Sequence, residues 1–266
     1  MRVSIDGRLF RSFFVLVFAL AGSIYAPVAR AAFSGLLNVD FGETSPTFNA
    51  IPSLTYSGAA VIGSAGDVWN GPQSLFAFTG HQSASGISLL DSTGAATAVT
   101  LGYDITGGYN SGAGTSPFDV TPLAPLMRDY IYDRTDTAAP GSVTLSGLTA
   151  NGAYDLYLYS AGDGPKETLF TVNGVNKVAS SLGSNPATLT EGVNYVKYSG
   201  TADAAGDLTI LFTANGTSFD GVFSGLQLAT TPSRGPAGNP VPLPPALLVG
   251  IAGAGLAWPM RRWVKK

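Results

Sequence analysis

Between Leu37 and Leu228 this chain carries short runs in which apolar residues recur at every second position, not every third or fourth. Leu37, Val39 and Phe41 alternate with Asn38 and Asp40. Val99, Leu101 and Tyr103 form a second such run, and Val143 and Leu145 lead into Leu148. Tyr154, Leu156 and Leu158 alternate with Asp155, Tyr157 and Tyr159, and Leu208, Ile210 and Phe212 form a late run. A period of two places one face of a strand against a core and leaves the other outside. Phe170 and Val172 run into Asn173-Gly174, a pair that accepts positive φ at low cost and therefore signals a two-residue hairpin. The 34 glycines and 17 prolines favour turns over helices. The pattern predicts an all-β domain, an antiparallel β-sandwich or jelly roll, over residues 32–229. The Gly/Ser/Thr/Pro-rich stretch from Thr106 to Pro125 reads as a long loop at one end of the sandwich.

The chain has no cysteine, so disulfides, thiolate metal sites and cysteine nucleophiles are excluded and the core alone must hold the domain. Between Ala32 and Pro240 stand six basic and sixteen acidic residues, a net charge of −10. That balance argues against nucleic acid and anionic membrane surfaces as partners, and suits neutral sugars or divalent cations.

Both ends carry targeting patterns. Arg2, Arg8 and Arg11 precede the apolar run Phe13–Ala21, and Ala29 and Ala31 place small residues where a signal peptidase reads. Residues 1–31 are therefore expected to be a cleaved signal peptide with a helical centre. At the other end, 230–239 reads as a flexible linker. Residues 240–266 then hold Val241-Pro242-Leu243-Pro244-Pro245, an apolar segment over 246–260 and a basic tip containing Arg261 and Arg262. The segment is short for a transmembrane helix, and the positive-inside rule puts its tip in the cytoplasm. This ending resembles the PEP-CTERM sorting signal of Gram-negative bacteria, in its VPLPPA variant; the family's usual Glu between the prolines is Leu243 here. The resemblance implies processing by the membrane enzyme exosortase, transient anchoring, and delivery to the cell surface or exopolysaccharide matrix.

A second resemblance runs through the body of the chain. Asn38-Val39-Asp40-Phe41-Gly42, Gly66-Asp67-Val68-Trp69-Asn70, Asp129-Tyr130-Ile131-Tyr132 and Tyr154-Asp155-Leu156-Tyr157-Leu158-Tyr159 look like exported β-sandwich domains similar to galactose-binding-like and malectin-like carbohydrate modules. It implies a non-catalytic surface or matrix protein, with or without weak sugar binding. The other readings are a carbohydrate hydrolase and a purely structural envelope protein.

Candidate chemistry is sparse. Trp69, beside Asn70 in a loop-like setting, and Tyr130 with Tyr132, can stack on a sugar ring while Asn and Asp supply hydrogen bonds. Trp69 is better suited to plugging the end of the core. Asp129, Asp133 and Asp136 cluster near the tyrosines and are the carboxylates a glycosidase would draw on. Arg128 and Arg134 can instead pair with those acids. His81 is the sole histidine, too little for a His-based zinc site or a Ser-His-Asp triad. No catalytic or metal-ligating residue is assigned, and no cofactor is expected. A structural calcium ion is left open, with Asp163, Glu167, Asp203 and Asp207 as loop candidates and no ligand set assigned.

Overall fold

The computed structural model describes residues 33, 35–42, 55–72, 80–111, 116–137, 139–184 and 186–231. The signal-peptide positions Ala29 and Ala31, the linker beyond Thr231 and the whole ending from Val241 to the basic tip lie outside the described residues. Among the described residues no helix is long and apolar enough to cross a membrane.

The described chain is a β-sandwich of antiparallel sheets, as the period of two requires. Its strands are β1 (Leu36–Asp40), β2 (Gln82–Leu90), β3 (Ala96–Ile105), β4 (Gly107–Asn110), β5 (Asp129–Arg134), β6 (Gly141–Ser146), β7 (Ala153–Tyr159), β8 (Glu167–Val172), β9 (Val175–Ser180), β10 (Tyr195–Thr201), β11 (Leu208–Ala214), β12 (Asp220–Phe223) and β13 (Gly225–Thr230). One sheet runs β1-β13-β7-β10 and a second β2-β3-β6-β11-β8-β9. A third, smaller sheet runs β12-β5-β4.

The main core lies between the first two sheets. Leu37, Val39, Leu156, Leu158, Leu226 and Leu228 from one meet Val99, Leu101, Val143, Leu145, Ile210 and Phe212 from the other, all fully buried. Removing each such side chain from water contributes on the order of 1.5–3 kcal/mol, which is how a chain without disulfides is held. The hairpin at Asn173-Gly174 forms as its sequence predicts: Asn173 has φ 49° and Gly174 φ 75°, joining β8 to β9.

The first sheet is covered on its outer face as well. Asp155, Tyr157 and Tyr159 point away from the main core, and Tyr157 and Tyr159 enter a second apolar cluster with Tyr56, Trp69, Phe118, Leu126 and Met127. A buried polar network fastens the segment 55–70 there. The Gln227 Oε1 accepts from the Tyr159 hydroxyl at 2.5 Å and from the Ile62 N–H, while its Nε2 donates to Asn38 Oδ1 and the Ile62 carbonyl. Asn38 in turn donates to the Val68 carbonyl. Every polar atom of Gln227 is thus matched, the condition for burying an amide without a large cost.

Two local expectations are corrected. The stretch 106–125 is not all loop: it begins with β4, and its end enters a single helical turn, α1 (Ala124–Arg128), which buries Ala124, Leu126 and Met127. Five residues are too few for an amphipathic period to register in the sequence. The second concerns the run Val193, Tyr195 and Lys197, which alternates with Asn194, Val196 and Tyr198 and so reads in the sequence as one strand face. The strand begins only at Tyr195, and it is Val196 and Tyr198 that face the core.

Candidate functional site

The third sheet builds the site from a strand that alternates perfectly. In β5, Tyr130, Tyr132 and Arg134 share one face, while Asp129, Ile131 and Asp133 share the other. Ile131 points into the main core, and Asp129 and Asp133 are buried with it on that side. Register supplies the rest. Tyr109 of β4 lies opposite Tyr130, and Asp220 of β12 lies opposite Arg134. Residues directly opposite across antiparallel strands share a face, so Tyr109, Tyr130, Tyr132, Arg134 and Asp220 converge. Gly221 makes room for this arrangement: a Cβ at that position would fall 2.1 Å from the Thr213 carbonyl carbon, so β12 passes hard against β11.

Asp163 and Lys166, from the loop between β7 and β8, and Phe219 complete a cleft of about 330 Å³. Tyr130 is 3 % and Tyr132 7 % exposed, so the two form its floor, whereas Phe219 is 53 % exposed at its mouth. The Tyr109 and Tyr130 rings lie 5.6 Å apart. Tyr130 donates its hydroxyl to Asp163 Oδ1 at 3.2 Å. Lys166 Nζ sits 3.3 Å from Asp163 Oδ1 and 3.6 Å from Asp220 Oδ2, bridging the two acids. The Arg134 guanidinium stacks over the Phe219 ring, 4.2 Å from its centroid, with its Nε 3.3 Å from Asp136 Oδ1.

Electrostatics follow from burial. Desolvation raises the Asp220 carboxyl above the usual carboxylate range against the pull of Lys166 and Arg134, and the Asp163 charge adds to the rise. Burial also pushes the Tyr130 phenol well up, with the charges of Asp163 and Asp220 acting in the same direction, so it stays a neutral donor.

The sequence-predicted residues divide. Tyr130 and Tyr132 are brought together in the cleft. Trp69 and Asn70 are not part of it, which corrects the expectation of an exposed stacking pair. Trp69 is 4 % exposed, packs edge-on against Tyr56 at 5.2 Å, and donates its indole N–H to the Gly58 carbonyl at 2.9 Å. The Asn70 amide is spent on backbone, bonding Asn38 O, Leu90 O and Leu90 N. Of the carboxylates considered for catalysis, Asp129 and Asp133 lie on the opposite face of β5. Asp136 pairs with Arg134.

His81 stands beside Asp104 at 2.5 Å, both well exposed, on the rim of a separate cavity of about 530 Å³. Among the described residues no group of three or more His, Cys, Asp or Glu gathers for a metal. The loop acids considered for calcium have other partners. Asp203 Oδ1 accepts the Ala205 and Asp207 N–H groups, and Glu167 Oε2 accepts from Ser180. Sequence reasoning missed Tyr109, Asp163, Lys166, Phe219 and Asp220 as a set, because only strand register and the loop between β7 and β8 unite them. Arg134 was legible as the next residue on the Tyr130–Tyr132 face.

Comparison with protein-family models finds no match, and comparison with curated proteins finds none either. Solved structures are similar to parts of this chain. Protein YXIM from Bacillus subtilis is similar at 13 % identity over 74 % of this chain and 40 % of its own, with a TM-score of 0.35. The β-glucuronidase 2 of Bacteroides uniformis is similar at 15 % identity over 74 % of this chain and 18 % of its own, with a TM-score of 0.36. The exo-β-1,3-galactanase of Phanerochaete chrysosporium is similar at 16 % identity over 53 % of this chain and 36 % of its own, with a TM-score of 0.25. The chain thus spans less than half the length of each. Glycoside hydrolases recur among these neighbours, against the expectation of a non-catalytic chain. At these identities the likeness is one of fold, and chemistry rests on the cleft's own residues.

Proposed function

We propose that this is an exported carbohydrate-directed β-sandwich protein whose ligand sits in the cleft of the third sheet. One observation carries the reading: aromatic residues from three separate segments converge with two carboxylates and two cations in one solvent-open cleft. Sugar recognition draws on that combination, apolar ring faces beside a few fixed polar groups. The volume is at the lower end of small-molecule sites, about 300–1,000 Å³, and fits one or two saccharide rings. The basic and apolar N-terminal segment, with Ala29 and Ala31, supports export by signal peptidase. Val241 to Pro245, the apolar segment after them and Arg261-Arg262 support sorting by exosortase toward the surface or its polysaccharide. The test is calorimetric titration of the full chain with a panel of oligosaccharides. Binding is expected, and Tyr132→Ala or Phe219→Ala should weaken it at least tenfold while the fold persists. A folded chain that binds no saccharide overturns the reading.

A second reading, hydrolysis, is favoured by the acid pair. Asp163 and Asp220 share Lys166, so their bridged oxygens lie no more than about 7 Å apart, below the roughly 10 Å upper limit of glycosidase carboxylate pairs. The raised Asp220 carboxyl suits a general acid. Reducing-sugar release abolished in Asp220→Asn, with binding retained, would establish it. No release from any bound oligosaccharide would reject it.

A further inference from the structure

The cleft's charges name a class of saccharide. Asp163 and Asp220 are both engaged, by Lys166 and by the Tyr130 hydroxyl. Lys166, held between two acids, has no net charge to offer. Arg134 differs. Its Nε, buried and without a hydrogen-bond partner among the described residues, stands 3.3 Å from Asp136 Oδ1 on a side chain that is 63 % exposed, and the charge of Asp220 opposite also acts on it. Its two terminal nitrogens have no hydrogen-bond partner among the described residues. The Phe219 ring beneath it fixes the guanidinium plane at the mouth of the cleft. A planar, pre-oriented fork with free donors is the group that takes a carboxylate through two parallel hydrogen bonds.

Resting on the carbohydrate reading of this cleft, we propose that its ligand is a carboxylated saccharide, with a uronate carboxylate on the Arg134 fork and the sugar ring beside the aromatic lining. In a uronic acid the carboxylate is bonded directly to a ring carbon, so anion and ring face arrive together. The cleft likewise sets its fork 4.2 Å from the Phe219 centroid, beside Tyr132. The domain's net charge of −10 between Ala32 and Pro240 repels polyanions in general, so a uronate that binds must do so through a local site and not through a diffuse positive field.

The experiment uses the full chain and matched ligands: a galacturonate trimer, the same trimer methyl-esterified, and a neutral gluco-trimer. The free acid is expected to bind at least tenfold tighter than its ester. Arg134→Gln should erase that preference, and Arg134→Lys should keep part of it, since the charge remains but the fork does not. Phe219→Leu, a change at an exposed position, should also reduce the preference. Thermal melts confirm that each variant is folded. If acid and ester bind equally and Arg134→Gln changes nothing, while Tyr132→Ala still abolishes binding, the carboxylate assignment is wrong and the carbohydrate reading stands. If the folded chain binds none of the three and none of the wider panel, both fall together.

Discussion

Asp40 in β1 is a buried acid whose replacement should stabilise the protein. Its side chain is fully buried. One oxygen, Oδ2, accepts the Tyr56 N–H at 2.7 Å, and the other, Oδ1, has no hydrogen-bond partner among the described residues. Burial drives the carboxyl well above its usual range, the charge of Asp129 adds to the rise, and the Tyr56 N–H opposes it. Asn in place of Asp keeps an acceptor for Tyr56 and turns an amide N–H₂ toward the side where the bare oxygen and the Asp129 charge now stand. It therefore removes an unsatisfied acceptor, a cost of about 1–3 kcal/mol, together with a like-charge contact.

The sign with pH is definite. A group whose folded pKa lies above its unfolded value of about 3.9 favours folding fully below that value and loses the contribution as pH rises through the folded pKa. Wild type and Asp40→Asn should therefore melt at similar temperatures near pH 4. They should separate progressively above it, the variant gaining about 1–3 kcal/mol by pH 8. For a domain of this size that is roughly 2–12 °C in Tm. Differential scanning calorimetry of both proteins across pH 4–8 reads the difference directly. A variant that melts lower than wild type at pH 8 would refute the reasoning, because it would mean that the carboxylate is ionised and satisfied. A gain that does not change with pH would also refute it.

Trp69→Ala should cost about 3–5 kcal/mol in chemical denaturation, the scale of a buried aromatic truncation, and should not act as a selective loss of saccharide binding. Gly221→Ala should destabilise by about 1–3 kcal/mol, because its methyl group meets the Thr213 backbone, and should weaken cleft binding along with stability. The mature protein isolated from its native host should show, by intact mass, loss of the segment ending at Lys266; retention of Lys266 would leave a plain tail anchor instead.

What could be read from the sequence was whatever one strand decides by itself. The alternation in Tyr154–Tyr159 fixed which residues enter the core, and Asn173-Gly174 announced a hairpin because its backbone demand is local. Asp129 to Arg134 held more than was taken from it. Its period of two already separates Tyr130, Tyr132 and Arg134 from Asp129 and Asp133, so grouping acids with tyrosines ignored the pleat. Trp69 misled because Gly66-Asp67 and Asn70-Gly71-Pro72 give it the composition of an exposed loop. Its burial depends on Tyr56 and Tyr159, the latter 90 positions away in the chain. Tyr109, Asp163, Lys166 and Asp220 could not be gathered at all, since what unites them is cross-strand register and one loop.

The two faces of β5 explain why the cleft sits where it does. Ile131 anchors the strand in the main core, and the tyrosines on the other side are carried outward by that same anchorage, so core packing sets the position of the site. The β3 strand bends at Thr106 into β4 and places Tyr109 opposite Tyr130, and the close pass of Gly221 against Thr213 holds Asp220 opposite Arg134. Two contacts with backbone origins therefore fix the aromatic and the charged ends of the cleft independently of any ligand. A site built this way is pre-organised, so little ordering cost is left to offset when a ligand binds. On the proposed reading, specificity falls to the Arg134 fork at its mouth, whose terminal nitrogens have no hydrogen-bond partner among the described residues.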